Sequence, residues 1–182
     1  MVELGDKELV QQFRSGSNRN QAFNDIVIKY QERLYWHIRK LVISHDDTDD
    51  VMQNTFIKAF EGLNRFREDA SLFTWLYRIA TNESLTFLKK KSRRYLIPLG
   101  ENLNHLQETL ESDVYFNGDE IQMKLQKAII LLPEKQRIVF NMKYFEEMKY
   151  EEISDILNTS VGALKASYHH AIKKLEKYLT ED

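Results

Sequence analysis

The sequence predicts an all-α fold: two small helical domains joined by an acidic linker, the second a helix-turn-helix. Three observations carry that expectation. Apolar residues recur every three or four positions through most of the chain, which sets them on one face of a helix. Only 6 Gly and 2 Pro occur in 182 residues, little material for a turn-rich all-β fold. Across residues 96–120 the periodicity stops, and Pro98, Gly100 and Gly118 fall within the gap.

The elements follow in order. Phe23, Ile26, Val27, Tyr30, Leu34, Tyr35, Ile38, Leu41 and Val42 lie at helical spacing and predict one long amphipathic helix. "SHDDTDD" interrupts it. There Asp46, Asp47 and Thr48 offer oxygens for an N-cap, and Asp49 and Asp50 suit the positive end of a helix dipole. Val51, Met52, Phe56, Phe60 and Leu63 form the apolar face of the next helix. "NRFREDAS" reads as a loop ending in a cap at Asp69 or Ser71. The helix after it, "LFTWLYRIATNESLTFLKKKSRR", begins aromatic and ends in Lys89, Lys90, Lys91, Arg93 and Arg94. The first domain thus spans residues 1–95.

Residues 96–120 read as a linker with room for a short helical turn. If flexible, such a segment spans about 25–30 Å and reaches about 80 Å when stretched. The second domain, residues 121–182, opens with "IQMKLQKAIILL". Pro133 then stands where it can open a helix at "PEKQRIVFNMKYF". "YEEISDILN", the break "TS" and "VGALKASYHHAIKKLEKYL" follow, the last with Leu164, Tyr168, Ile172, Leu175 and Leu179 in register. A short helix, a tight turn and a longer basic helix describe a helix-turn-helix.

Charge is partitioned along the chain. The net formal charge of −2 conceals a first domain at +3, a linker with 6 acids and no Lys or Arg, and a second domain at +1. Affinity for nucleic acid follows local phosphate contacts, so the overall acidity does not exclude it. No apolar run approaches the roughly 18 residues of a membrane span, and the acidic start lacks an apolar signal segment. Zero cysteines rule out disulfides and Cys-ligated zinc and agree with a reducing, cytoplasmic setting.

The side chains point to nucleic acid rather than catalysis. In a helix-turn-helix the second helix enters the major groove with its N-terminal residues on base edges. Here these are Ser160, Val161, Gly162, Ala163 and Lys165, with Ser167, His169 and His170 further along. Near the loop and at the start of the helix that begins aromatic, Phe66 and Phe73 are the candidates for stacking on unpaired bases, worth about 1–3 kcal/mol each when used. Trp75 is assigned to packing. The Lys/Arg end suits duplex phosphates. Asp46, Asp47, Asp49 and Asp50 lack the glycine and final Glu of a calcium loop, and helix capping accounts for them. His169 and His170 are adjacent and diverge on a helix, which disfavours a shared metal. No nucleophilic triad, phosphate loop or paired carboxylate is legible, so neither enzyme activity nor a cofactor is expected. A promoter-specificity subunit, an ordinary duplex-binding regulator and a protein-only adaptor all remain open on these features.

Three blocks narrow the choice. "DTDDVMQNTFIKAF" resembles the segment D-x-[DE]-D-[LV]-x-Q-x-x-F of bacterial RNA polymerase sigma factors, in the extracytoplasmic-function group of the sigma-seventy family. "RFREDASLFTWLYRIATNESL" is similar to that group's R-F-R-x-x-A-S-x-x-T-W-L-Y-R-I-A-x-N. "LLPEKQRIVFNMKYFEEMKYEEISDILNTSVGALKASYHHAIKKL" resembles its second domain. The resemblance covers roughly residues 7–94 and 121–179. It implies a protein that binds core RNA polymerase and directs promoter-specific initiation, with promoter DNA and an anti-sigma factor as further partners and no membrane insertion. Asp49, Asp50, Gln53, Asn54 and Phe56 would dock on the polymerase. Arg65, Phe66, Arg67, Asp69, Phe73, Arg78, Asn82, Lys89, Lys90 and Arg93 would hold the minus-ten element. Ser160, Val161, Gly162, Ala163, Lys165, Ala166, Ser167, His169, His170 and Lys173 would face the minus-thirty-five element. The linker would thread the polymerase toward the RNA path, or fold over basic surfaces in a compact free form. The chain departs from the pattern at Ala163, Ser167 and His170, where Thr or Arg is common, and at Phe73 and Lys149. Losing Arg at the recognition helix removes bidentate guanine readers, so no promoter sequence carries over.

Overall fold

The structure, a computed structural model, describes residues 4–16, 18–94, 107–112 and 120–180, and every regular element among them is a helix. Most of the expected linker, including Pro98, Gly100 and Gly118, lies outside the described residues.

The first helix, α1 (Asp6–Ser15), is absent from the sequence reading. The Gly5 amide donates to the Glu8 carboxylate at 2.9 Å, Gly16 ends the helix at φ +79°, and Leu9, Val10 and Phe13 turn inward. Its glycine bounds and its short L-V-x-x-F pattern were the available signals. α2 (Arg19–Val42) is the expected long helix and the spine of the first domain, packed by α1, α3 and α4. Ala22, Ile26, Tyr30, Leu34, Ile38 and Leu41 bury its inner stripe. It stops because Ile43 adopts φ +69°, unusual for a β-branched residue; burial to 2% exposure holds it there.

α3 (His45–Gly62) is capped by Ser44, whose Oγ accepts from the Asp47 amide at 3.4 Å. The acidic residues expected to cap it lie inside its first turn, where they still face the positive dipole end. A 3₁₀ turn (Leu63–Arg65) leads to a loop, and Ser71 rather than Asp69 caps α4 (Leu72–Arg94), accepting from the Thr74 amide at 3.1 Å. A Cβ at Gly62 would stand 3.1 Å from the Trp75 ring, so a side chain there would need that ring to yield by a few tenths of an ångström.

A helical turn, α5, covers 107–111. α6 (Glu120–Ile130), α7 (Glu134–Tyr144), α8 (Tyr150–Leu157) and α9 (Val161–Thr180) follow. Pro133 precedes the first residue of α7, as its fixed φ allows. At α8 the Lys149 amide donates to Glu152 at 2.8 Å, so the box closes without a capping hydroxyl, and Asn158 at φ +50° turns the chain into α9. Phe140, Ala171, Leu175 and Leu132 form the core of α6, α7 and α9.

The two sets of helices pack on each other, α8 against α4 and α7 against α2. Ile138, Met142, Met148, Ile153 and Ile156 share one apolar core with Leu34, Ile38 and Leu76.

Candidate nucleic-acid interfaces

The geometry of α9 divides it cleanly. Leu164, Ala171 and Leu175 are buried and Tyr168 stacks on Phe140 at 5.9 Å, which fixes the inner face. Ser160, Gly162, Ala163, Lys165, Ala166, His169, His170 and Lys173 are then exposed, with Val161 and Ser167 half-buried at the margin. The Ser160 carbonyl accepts from the Leu164 amide at 3.0 Å and starts the helix directly after the turn. The first two turns of α9 carry small side chains and one cation, a shape that lets a helix approach base edges closely.

The loop over 63–71 and α4 form a second face. Arg65, Arg67 and Asp69 are exposed on the loop; Asn82, Lys89, Lys90 and Arg93 are exposed along α4, with Arg78 near its start. Residues 78, 82, 89 and 93 recur at four and seven positions and so share one stripe. The two rings expected to stack on bases are turned inward. Phe66 is 5% exposed, its ring 5.1 Å from Trp75, and Trp75 packs as expected. Phe73 is half-buried, 4.3 Å from the Tyr77 ring, with the Arg33 guanidinium 4.6 Å above it. An apolar residue in a loop or at a helix start gains more from the core beneath than from water, and here the core is within reach.

Sequence reasoning missed what holds this loop. Arg14 of α1 pairs with Glu68 at 2.7 Å and donates a second bond to the Phe66 carbonyl. Glu68 itself sits at φ +62°, a conformation that needs outside support. α1 therefore braces the loop at two points.

The third face lies on α3. Asp49, Asp50, Gln53 and Asn54 are exposed and Phe56 is half-buried against Phe23 at 6.4 Å. Beside them Phe23, Gln53, Phe56, Ile57, Phe60 and Glu61 line a shallow hollow of about 370 Å³, with Ile57 half exposed. Apolar floor and acidic rim together suit a protein partner.

Between the domains the electrostatics concentrate at one pair. His37, 1% exposed on α2, meets Glu146 of the α7–α8 turn, Nδ1 to Oε1 at 2.8 Å. Its Nε2 lies 2.9 Å from Thr81 Oγ1, which already donates to the Tyr77 carbonyl at 2.7 Å. The imidazole ring thus bridges Thr81 on α4 and the Glu146 carboxylate of the second domain. Burial works to raise the Glu146 carboxyl, yet His37, Tyr77 and Lys40 outweigh it and hold the group below its ordinary value. Burial pushes the Tyr77 hydroxyl well up and pulls Lys40 and Arg137 down.

Among the described residues, no group of three or more His, Asp or Glu is placed to hold a metal ion, and no helix is long and apolar enough to cross a membrane.

Comparison with known proteins matches these faces to a family. Residues 26–94 match the family model for sigma-70 region 2, and residues 122–175 that for sigma-70 region 4. The ECF RNA polymerase sigma factor SigW of Bacillus subtilis is 30% identical over 189 residues, covering 99% of this chain and all of its own. The RNA polymerase sigma-H factor of Pseudomonas aeruginosa is 30% identical over 98% of this chain and 96% of its own. Among solved structures, CnrH in complex with the cytosolic domain of CnrY superposes with a TM-score of 0.70 at 25% identity, over 97% of this chain and 98% of that one. The sigma factor RpoE, solved with the anti-sigma factor NepR from Bartonella quintana, shares the fold with a TM-score of 0.66 at 21% identity, over 88% and 98% of the two chains. Both domains match in order, and the relatives are matched end to end: the chain belongs to the extracytoplasmic-function group of the sigma-70 family, the RNA polymerase sigma factors.

Proposed function

We propose that the three faces divide the work of initiation: α3 binds core RNA polymerase, the 63–71 loop with α4 takes the opened minus-ten element, and α9 reads the minus-thirty-five element. The domains that do this are residues 1–95 and 121–182, with 96–120 as the tether. Asp49, Asp50, Gln53, Asn54 and Phe56 dock on the polymerase. Arg65, Arg67 and Asp69 meet the displaced strand, Phe66 and Phe73 shape the loop from beneath, and Arg78, Asn82, Lys89, Lys90 and Arg93 follow the adjoining backbone. Ser160, Val161, Gly162, Ala163, Lys165, Ala166, Ser167, His169, His170 and Lys173 face the major groove.

The observation that supports this most is one chain with two nucleic-acid faces of different character. A helix-turn-helix suits duplex, and a looped, arginine-bearing helix suits a strand taken out of its stack. A duplex-binding regulator has no use for the second. The chain contributes specificity and leaves phosphodiester chemistry to the polymerase, in the cytoplasm where that enzyme works. An anti-sigma factor is a fitting regulator, and the two structural neighbours are each solved with a partner protein.

Run-off transcription with core polymerase and a promoter library tests the reading. Transcripts starting downstream of a shared pair of motifs are expected. No association with core polymerase and no defined start would overturn it.

A further inference from the structure

We propose that His169 and His170 meet the DNA duplex as imidazolium ions, so that α9 takes up protons as it seats and binds more tightly as pH falls through the histidine range. The inference rests on the reading of α9 given above.

Both side chains are exposed. Leu164, Ala171 and Leu175 point inward, so at about 100° per residue Gly162, Ala166, His169, His170 and Lys173 fall within about 60° of the centre of the outer face. Gly162, Ala163 and Ala166 give the first two turns little reach there, and Lys165 stands to one side. The two rings are therefore the first long side chains along that centre line. Their centroids are 6.1 Å apart. They lie about 12–13 Å along the axis from Val161, at about 1.5 Å per residue. The major groove is itself about 12 Å wide. A helix that sets its first turn on base edges thus carries these rings to the phosphate ridge that bounds the groove.

Imidazole is the side chain whose ordinary charge change falls between about pH 5 and 8. Its charged form gives phosphate a charge-assisted hydrogen bond, roughly twice as strong as a neutral one. Among the described residues neither ring has a hydrogen bond or an ion pair that would compete. Within four positions on α9 stand Lys165, Lys173 and Lys174 and no acid. The elements packed on the other side of α9 are α6, α7 and α8. Their charged groups are Glu120, Lys124 and Lys127 on α6, Glu134, Lys135, Arg137 and Lys143 on α7, and Glu151, Glu152 and Asp155 on α8. Tyr150 of α8 faces Tyr168, on the inner side of α9. A DNA phosphate is then the counter-charge that the outer face lacks. Because phosphate favours the protonated rings, their contribution to binding is complete in acid and is lost as pH rises through the histidine range.

Fluorescence anisotropy of the full chain with a labelled random-sequence duplex, at several salt concentrations, reads the effect. From about pH 8 to about pH 6 the affinity is expected to rise at least tenfold, two linked protons allowing at most about two decades per pH unit. The salt slope is expected to steepen by about 0.9 for each ring that gains a charge on phosphate. His169→Gln with His170→Gln removes the titration, and its affinity should change less than about threefold over the same range. His169→Lys with His170→Lys fixes both charges and should show at about pH 8 the steep salt slope that the native chain shows only in acid. A merely structural role for the rings predicts neither result. A native chain whose affinity and salt slope ignore pH overturns the inference. So does a rise that survives in the Gln pair, which would assign it to the other histidines or to carboxylates. Absence of duplex binding at every pH would overturn the reading of α9 as well, so the two failures are distinct.

Discussion

Phe66 offers the sharpest test of how the 63–71 loop works. Its ring is 5% exposed and packs on Trp75 at 5.1 Å with the planes tilted by 39°. Turning it out to meet a base would forfeit about 1.5–3 kcal/mol of side-chain burial and about 0.5–1.5 kcal/mol of ring pairing. A stacked base returns about 1–3 kcal/mol. At mid-range values the exchange loses about 1 kcal/mol, so the ring is expected to anchor the loop and to leave the exposed Arg65, Arg67 and Asp69 for the strand proposed above. Phe66→Leu keeps the apolar anchor and loses chiefly the ring pairing. It is expected to lower the melting temperature by about 2–4 °C, as ~1 kcal/mol does in a chain of this size, and to leave run-off transcription within about threefold. Phe66→Ala removes the anchor, costs about 3–5 kcal/mol, and takes activity with it. Thermal unfolding and run-off yield, measured on both variants, decide the matter. If Phe66→Leu melts normally yet loses transcription tenfold or more, the ring does hold a base and the reasoning fails.

Three further outcomes follow from the same geometry. Arg14→Ala removes both braces of the loop, and amide hydrogen exchange over residues 64–68 should quicken about tenfold, an opening shift of ~1.4 kcal/mol; unchanged exchange would leave α1 without that role. Lys165→Ala should weaken duplex binding evenly across sequences and lower the salt slope by about 1, read from titrations at several salt concentrations; a loss confined to one sequence would instead make Lys165 a base reader. The packing of the two domains should depend on acid in one direction. The Glu146 carboxyl is held below its ordinary value in the folded chain, so its contribution to stability is complete above that value and is lost as pH falls through the lowered one. The melting temperature should therefore drop on the acid side, and Glu146→Gln should reduce that drop; an identical drop in the variant would assign it to other carboxylates.

Helical periodicity alone determined the all-α class and the positions of α2, α3, α4 and the helix-turn-helix, because a stripe at three- and four-residue spacing is a local property. The exposed face of α9 follows from the same stripe: once Leu164, Ala171 and Leu175 point inward, residues 162, 163, 165, 166, 169 and 170 point out. Local chemistry was less decisive at the ends. Ser44 and Ser71 won the caps over neighbouring acids, since a cap is chosen by backbone angles that composition does not encode. α1 escaped notice because its ten residues carry just three buried side chains, too short a pattern to stand out before its partners are known.

The tertiary structure alone decided whether an apolar residue in a loop or at a helix start faces water or core, and so turned Phe66 and Phe73 inward. It alone could pair His37 with Glu146, Arg78 with the Asp155 carbonyl, and Leu110 with both domains. Periodicity tells which face of a helix is buried and is silent on what covers it. The covering surfaces here come from residues up to 109 positions away, and contacts at that separation leave no local mark in the chain.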